Sequence, residues 1–290
     1  MSYLPTSWRL LLDGPQSGAR NMAVDAAVLR AVETGESPPT LRLYAWKPWC
    51  VSLGHFQKPE RELDGAALLA RGWDFVIRPT GGRAVLHAEE LTYSILARRD
   101  AAPWCATLAE SYEAIGAAWA HALEGFDLEM VRGAAPARTD AGEAGVAPPC
   151  FASSAKSELA HGVRKVVGSA QRRTRGAFVQ HGSIPLTPGH ERLPEVLPLD
   201  DAGRAAYART LREHAVSLGE IGIVPAGAER AAWERTLADA LLFALGAHGE
   251  VGALTPAEEA FAAEREAEHR ERQREFLARS REHRAGIKND

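Results

Sequence analysis

Arg78-Pro79-Thr80-Gly81-Gly82-Arg83-Ala84-Val85-Leu86-His87-Ala88-Glu89-Glu90-Leu91-Thr92-Tyr93-Ser94 is the stretch from which the fold of this chain can be read outward. Phe75-Val76-Ile77 leads in as a short β-branched and aromatic segment, and residues 91–96 lead out as another. The whole therefore reads as a strand, a tight glycine turn and a returning strand. Gly81 and Gly82 permit positive φ and let a ligand approach bare backbone, while Arg78 and Arg83 flank the turn with fixed charge and planar donors. Such a turn suits an anionic or acyl ligand. The plainer reading of the same residues is a β-hairpin whose arginines face solvent.

The chain has 290 residues, 46% of them hydrophobic, enough to bury a sizeable core as one large domain with an appendage. Against 38 acidic side chains stand 34 basic ones, and the resulting net charge of −4 excludes a global footprint for nucleic acid. Cys50, Cys105 and Cys150 are odd in number, widely spaced and without a Cys-x-x-Cys pair. That argues against a disulfide framework or a zinc site and fits a reducing cytoplasm. No run approaches 18 consecutive apolar residues, so a soluble cytoplasmic protein without membrane or nucleic-acid partners is expected.

In chain order, residues 8–12 predict an opening strand, Asp13-Gly14-Pro15 a turn, and Asn21 the start of a core-packing helix that Gly35 ends. Residues 41–44 and 50–53 predict two strands and 63–71 a short helix. His55 reads as a surface histidine. Leu108, Tyr112, Ile115, Trp119 and Leu123 recur at helical spacing and predict a helix with that face inward. Residues 133–149 shift to Gly, Ala, Pro, Arg and Asp and predict a long surface loop. Two further strands are expected over 163–168 and 176–180, joined around 170–174. After Pro188 the β signal fades. Trp233, Leu237, Leu241 and Leu245 mark a helix stopped by Gly246, and Thr255-Pro256 opens a long charged helix read as solvated or partner-facing.

The string at 78–87, followed by Gly-Val-Arg-Lys-Val-Val-Gly-Ser-Ala-Gln at 162–171 and Gln-His-Gly-Ser-Ile at 180–184, resembles the lipoate–protein ligase and octanoyltransferase superfamily, which also contains the biotin protein ligases. Asn21-Met22-Ala23-Val24-Asp25 and Ser52-Leu53-Gly54-His55-Phe56-Gln57 match further elements of that family in the same order. The resemblance covers about residues 8–186. It implies an α/β (α+β) fold, a mixed β-sheet with flanking helices. The division expected from it is a catalytic domain over 8–190 and a helical extension over 191–290.

Within this resemblance Lys165 takes the place of the lysine that contacts the acyl carbonyl or an adenylate phosphate. It also stands out by itself, because the chain has only Lys47, Lys58, Lys156, Lys165 and Lys288 and otherwise uses arginine. An ammonium held partly away from water can give and take a proton, although an edge-strand lysine with its head in water fits the residues as well. Cys150, in Pro-Pro-Cys-Phe after the long loop, matches the Cys-Phe of one octanoyltransferase branch and could carry an acyl group as a thioester. Cys50 reads as strand core and Cys105 as a helix-start residue. The resemblance places Arg78, Gly81, Gly82, Arg83, Ala84, His87, Gly168, Ser169, Ala170 and His181 around the substrate, the glycine turn lining an apolar acyl slot. Ala88 departs from the family, where an acidic residue often follows the histidine; Glu89 or Glu90 is the available substitute.

The implied reaction moves octanoyl from octanoyl-acyl carrier protein, or from an octanoylated carrier such as the glycine-cleavage H protein, through Cys150 to a lysine of a lipoyl domain or H protein. It needs no cofactor. In the alternative, an ATP-dependent lipoate–protein ligase, ATP and magnesium are required, Arg83 and Lys165 hold phosphate, and Cys150 is incidental. A third reading is a degenerate acyl-binding module, favoured by Ala88 and opposed by the presence of both Lys165 and Cys150. Arg164, Lys165, Arg172, Arg173 and Arg175 form either a solvated turn or a docking patch for an acidic partner.

Overall fold

The computed structural model describes residues 6–100, 104, 107–124, 129–132, 156–223 and 229–287. Cys105, Cys150 and the expected loop over 133–149 lie outside the described residues. The elements begin with β1 (Thr6–Gln16), α1 (Gly18–Thr34), β2 (Thr40–Trp46), β3 (Cys50–Leu53), α2 (Pro59–Glu62), α3 (Gly65–Arg71) and β4 (Asp74–Ile77). They continue with β5 (Val85–His87), β6 (Glu90–Arg98), α4 (Leu108–Ala122), β7 (Glu129–Arg132), β8 (Lys156–His161), β9 (Arg164–Lys165) and β10 (Gly168–Arg173). The chain closes with β11 (Ala177–Pro185), α5 (Asp201–His214), α6 (Glu229–Ala244), β12 (Ala247–Val251) and α7 (Pro256–Ile287).

Alternating side chains give the main sheet two different faces, because successive residues of a strand point to opposite sides. Leu41 and Leu43 of β2 and Tyr93 and Ile95 of β6 join Ile115 and Trp119 of α4 and Leu237 and Leu241 of α6 in one core. Their neighbours Arg42, Tyr44, Thr92 and Ser94 face the other way, toward α1. Six strands in the order β10-β11-β6-β2-β1-β12 form this sheet, with β1 parallel to β2 and β12 and the remaining pairs antiparallel. It is the mixed sheet with flanking helices that the sequence predicts. Two smaller sheets, β4-β3-β5 and β7-β8-β9, complete the fold.

Several local expectations are corrected. Asp13-Gly14-Pro15 is not a turn: β1 runs on to Gln16 across an irregularity between Leu12 and Pro15, held by the Asp13 carboxylate accepting from Arg42 Nε at 2.7 Å. α1 starts three residues before Asn21, because Ser17 caps it by accepting from the Arg20 amide. On α4 the face turns inward from Ile115 onward, while Leu108 in the capped first turn is exposed. β9 is only two residues long. β10 occupies 168–173, where a connection was expected, and the connection lies at 174–176.

The larger corrections concern the glycine turn and the C-terminal stretch. β4 and β5 are not neighbours; both pair with β3, β4 parallel and β5 antiparallel, so the glycine segment passes over the end of β3. Gly54 makes this crossing possible, since a Cβ there would lie 1.9 Å from the Gly82 carbonyl oxygen. The stretch 191–290 contributes a strand as well as helices: β12 is the edge of the main sheet, after the left-handed Gly246 (φ 70°). α7 is not simply solvated. It packs along α1 and α3, burying Ala262 and Phe276. Its first turn buries Glu258, which takes a bidentate ion pair from Arg9 at 2.6 and 2.7 Å. Apolar periodicity misses such a helix because ion pairs carry much of its contact.

Candidate functional site

The polar face of the main sheet meets β3 and β5 across a small cavity open to solvent on one side. Two cross-strand rows run along this side, and all their members but Arg42 and Ser94 line the cavity. Tyr44, Thr92, Ser183 and Gly168 stand in register across β2, β6, β11 and β10, and Arg42, Ser94, His181 and Ala170 form the next row on the same face. Met22 of α1, Trp46 and Val85 add apolar surface, and Ser52, Arg78, His87 and Lys165 add polar groups.

Lys165 is 9% exposed, and its backbone is fixed from two sides: β9 pairs with β8, and the Lys165 carbonyl accepts from the Val216 amide at 3.0 Å. Gly168, Ser169 and Ala170 follow it along the cavity. Tyr93 holds Ser169 through an OH to Oγ hydrogen bond of 2.8 Å, and its ring packs where a Cβ at Gly182 would fall, 2.2 Å away.

Behind one wall lies a buried charge network. Arg42, fully enclosed, donates to Asp25 at 2.8 Å, to Asp13, and to the Asn21 side chain at 2.9 Å. Asp25 also accepts from Ser94 at 2.7 Å and Tyr44 at 3.2 Å. Burial pushes the Asp25 carboxyl up, but Arg42, His181 and Ser94 together hold it below the ordinary carboxylate value. His181 lies with Nδ1 3.9 Å from Asp25 and Nε2 2.7 Å from Thr80 Oγ1, and burial holds it below the usual imidazole value despite that carboxylate.

On the opposite wall His87 stacks on Trp46, centroids 4.0 Å apart and 8° from parallel. Its Nδ1 meets Glu90 Oε1 at 2.8 Å and its Nε2 meets Ser52 Oγ at 2.7 Å. Of the two acids that could replace the one absent at Ala88, it is Glu90 that reaches the histidine. Glu90 is further held by hydroxyls of Thr92 and Ser183.

Among the residues singled out from the sequence, Arg78, His87, Lys165, Gly168, Ser169, Ala170 and His181 line this one cavity. Gly81, Gly82, Arg83 and Ala84 do not. The first three are exposed on the loop over β3, and Ala84 packs into the core beneath the small sheet. The glycine turn is therefore not the cavity floor, and it acts through Arg78, whose guanidinium donates to the carbonyls of Gly81, Arg83 and Ser52 at 2.7–2.8 Å. Cys50 is fully buried, and burial lifts its thiol well above the usual value, as expected of a core residue.

Sequence reading missed Ser52 and Asp25 as members of the site, and it named Glu90 only as one of two candidates to replace the absent acid. Asp25 was legible in part: a carboxylate and an amide four residues apart on the apolar side of a helix need buried partners. The arginine cluster is also redistributed. Lys165 is buried, Arg164 meets Glu220 at 3.3 Å, and Arg173 donates to Thr107 O and Ser111 Oγ at 2.7 Å. Arg172 and Arg175 stay exposed.

Residues 17–231 match the model of the lipoyl protein ligase A/B catalytic domain. The chain belongs to that family. It is 45% identical over 259 residues to the octanoyltransferase LipM of Kyrpidia tusciae, covering 87% of this chain and 92% of that one. To the LipM of Moorella thermoacetica it is 40% identical over 218 residues, 74% of this chain and 78% of that one. Its fold is that of the bipartite lipoate protein ligase of Thermoplasma acidophilum, with a TM-score of 0.72 at 22% identity over 91% of this chain and 93% of that one. A lipoate-protein ligase A bound with ATP superposes with a TM-score of 0.69 at 22% identity, over 90% and 94% of the two chains. Among the described residues no helix is long and apolar enough to cross a membrane.

Proposed function

We infer that this protein is an octanoyltransferase of lipoate biosynthesis, moving octanoyl from a thioester donor to a lysine of a lipoyl-accepting protein. The observation that carries transferase over ligase is the likeness to octanoyltransferases along most of the chain, twice the identity shared with the ligase folds. The cavity supports it chemically. Aromatic and aliphatic walls suit an eight-carbon chain, and the ammonium of Lys165 suits the carbonyl at its reacting end.

In the mechanism proposed, Cys150 attacks the thioester of octanoyl-acyl carrier protein, and one thioester replaces another at little thermodynamic cost. The C–S bond to the carrier breaks and its thiol leaves protonated. Lys165 polarises the carbonyl in this step and in the next, when the acceptor lysine of a lipoyl domain or H protein takes the acyl group as an amide. Gly168, Ser169 and Ala170 border the reacting end, Arg78, His87 and His181 keep the cavity polar beside it, and Gly81, Gly82, Arg83 and Ala84 act through the loop that Arg78 holds.

The test is transfer from octanoyl-acyl carrier protein to an apo lipoyl domain with neither ATP nor magnesium. Full turnover is expected, with one hydroxylamine-labile octanoyl group on Cys150 when the acceptor is withheld, and none on Cys150→Ser. Transfer that requires ATP and free octanoate or lipoate, or full activity in Cys150→Ser, would replace this reading by the ligase.

A further inference from the structure

A carbonyl held by Lys165 leaves one proton without a destination. An ammonium donates and cannot accept while it does so, yet an amine that forms an amide must lose a proton as the C–N bond forms. The cavity needs a separate acceptor, and the arrangement around His87 has the form of one.

The proton bookkeeping follows from the partners. Glu90 collects three donors, His87 Nδ1 at 2.8 Å, Ser183 Oγ at 2.6 Å and the Thr92 hydroxyl, whose own oxygen accepts from Trp46 Nε1 at 2.7 Å. A carboxylate accepts only, so His87 carries its proton on Nδ1 and presents Nε2 as an acceptor. The hydroxyl of Ser52, 2.7 Å away, therefore donates to Nε2. Its oxygen accepts in turn from Arg78 Nη1 at 3.1 Å. Ser52 and His87 line the cavity; Ser52, His87 and Glu90 are all at least nine-tenths buried. The Trp46 stack fixes the imidazole plane. Three elements, β3, β5 and the start of β6, spend buried polar groups here where apolar packing would avoid their desolvation.

We propose that Ser52, His87 and Glu90 form a proton relay that accepts the proton of the acceptor lysine during acyl transfer, with Ser52 its end at the substrate and Glu90 its positioning residue. This rests on the octanoyl-transfer reading above. The neutral acceptor amine attacks the acyl carbonyl; as the C–N bond forms, one amine proton passes to Ser52 Oγ and the hydroxyl proton of Ser52 passes to His87 Nε2. When the C–S bond breaks, the departing sulfur takes that proton back through the same path, and the relay ends as it began. Glu90 stabilises the imidazolium between the two events and is not itself protonated.

The experiment separates the half-reactions in the full-length enzyme. Octanoyl-enzyme is formed with octanoyl-acyl carrier protein, and then its octanoyl is chased onto an apo lipoyl domain. Ser52→Ala and Glu90→Gln are expected to slow the chase about a hundredfold, with acceptor KM within about threefold of wild type and acylation slowed less than about fivefold. Ser52→Thr, which keeps the hydroxyl, should recover much of the rate, and imidazole should accelerate the chase in His87→Ala. If Glu90→Gln does not fold, the two Ser52 variants decide. A Ser52→Ala chase within threefold of wild type would overturn the relay, as would equal losses in both half-reactions or an octanoyl ester found on Ser52. Wild-type enzyme that forms no octanoyl adduct and transfers nothing would instead overturn the transfer reading.

Discussion

Replacing Gly54 by alanine tests the crossing of the glycine loop over β3 at the point where it is tightest. The new Cβ would lie 1.9 Å from Gly82 O and 2.9 Å from Gly82 C, and backbone cannot rotate away as a side chain could. Relief requires the loop to lift by more than an ångström. Overpacking of this kind costs about 1–3 kcal/mol. Lifting also weakens the bonds by which Arg78 holds the loop, to Gly81 O at 2.8 Å and Arg83 O at 2.7 Å, each charged bond contributing about 1.5–3 kcal/mol. A loss of about 3–6 kcal/mol is expected, which lowers Tm by roughly 5–10 °C for a chain of 290 residues. Transfer should fall as well, since Arg78 lines the cavity and Thr80 bonds His181. Gly81→Ala is the control: nothing lies within 4 Å of its Cβ, and its stability should stay within about 1 kcal/mol of wild type. Thermal melting of the two variants beside wild type decides the matter. Equal melting shifts, or an unshifted Gly54→Ala, would refute the crossing.

Further outcomes follow from buried charge. Glu258→Gln removes the partner of Arg9 beneath the start of α7, and breaking such a pair costs about 3–5 kcal/mol, so chemical denaturation should show a loss near the lower end because glutamine keeps an acceptor. Stability should also fall with acid earlier than carboxylates alone predict. Burial holds His181 below its unfolded value of 6.5, and burial with Arg272 and Arg265 holds His269 down to about 4. The unfolded chain takes up these protons first, so stability is full above pH 6.5 and declines as pH drops from there toward about 4. Tm measured across that range should fall, and His269→Gln should flatten part of the slope; an unchanged profile would remove His269 from the account.

The strands, the helix signals and the order of the motifs were open to sequence reading because alternation and caps are local. Gly35 ends α1 and Thr107 caps α4 through neighbours within a few residues, whereas the Ser17 cap of α1 was passed over in favour of Asn21. What was not open depends on distant partners. Nothing near Phe75 or His87 reveals that both strands pair with β3 instead of with each other, and the hairpin reading fails for that reason. β12 escaped because Ala247-His248-Gly249-Glu250-Val251 has little strand propensity and owes its conformation to β1. Ser52 sits in a family element and Glu90 is one of two adjacent acids, but only the fold sets them on either side of His87.

The position of Arg78 explains why loop, fold and cavity cannot be altered independently. Its guanidinium spans the glycine loop and β3 and reaches Ser52, which in turn meets His87 and, through it, Glu90 on the main sheet. The small sheet is thus joined to the large one by a continuous line of hydrogen bonds that borders the cavity. A second line runs from the loop through Thr80 and His181 to Asp25 and Arg42. With both walls anchored on the same seven-residue loop, its glycines need not touch a ligand to govern the site. They let backbone pass close enough to β3 for Arg78 and Thr80 to reach their partners, and a substituent at Gly54 would undo both lines at once.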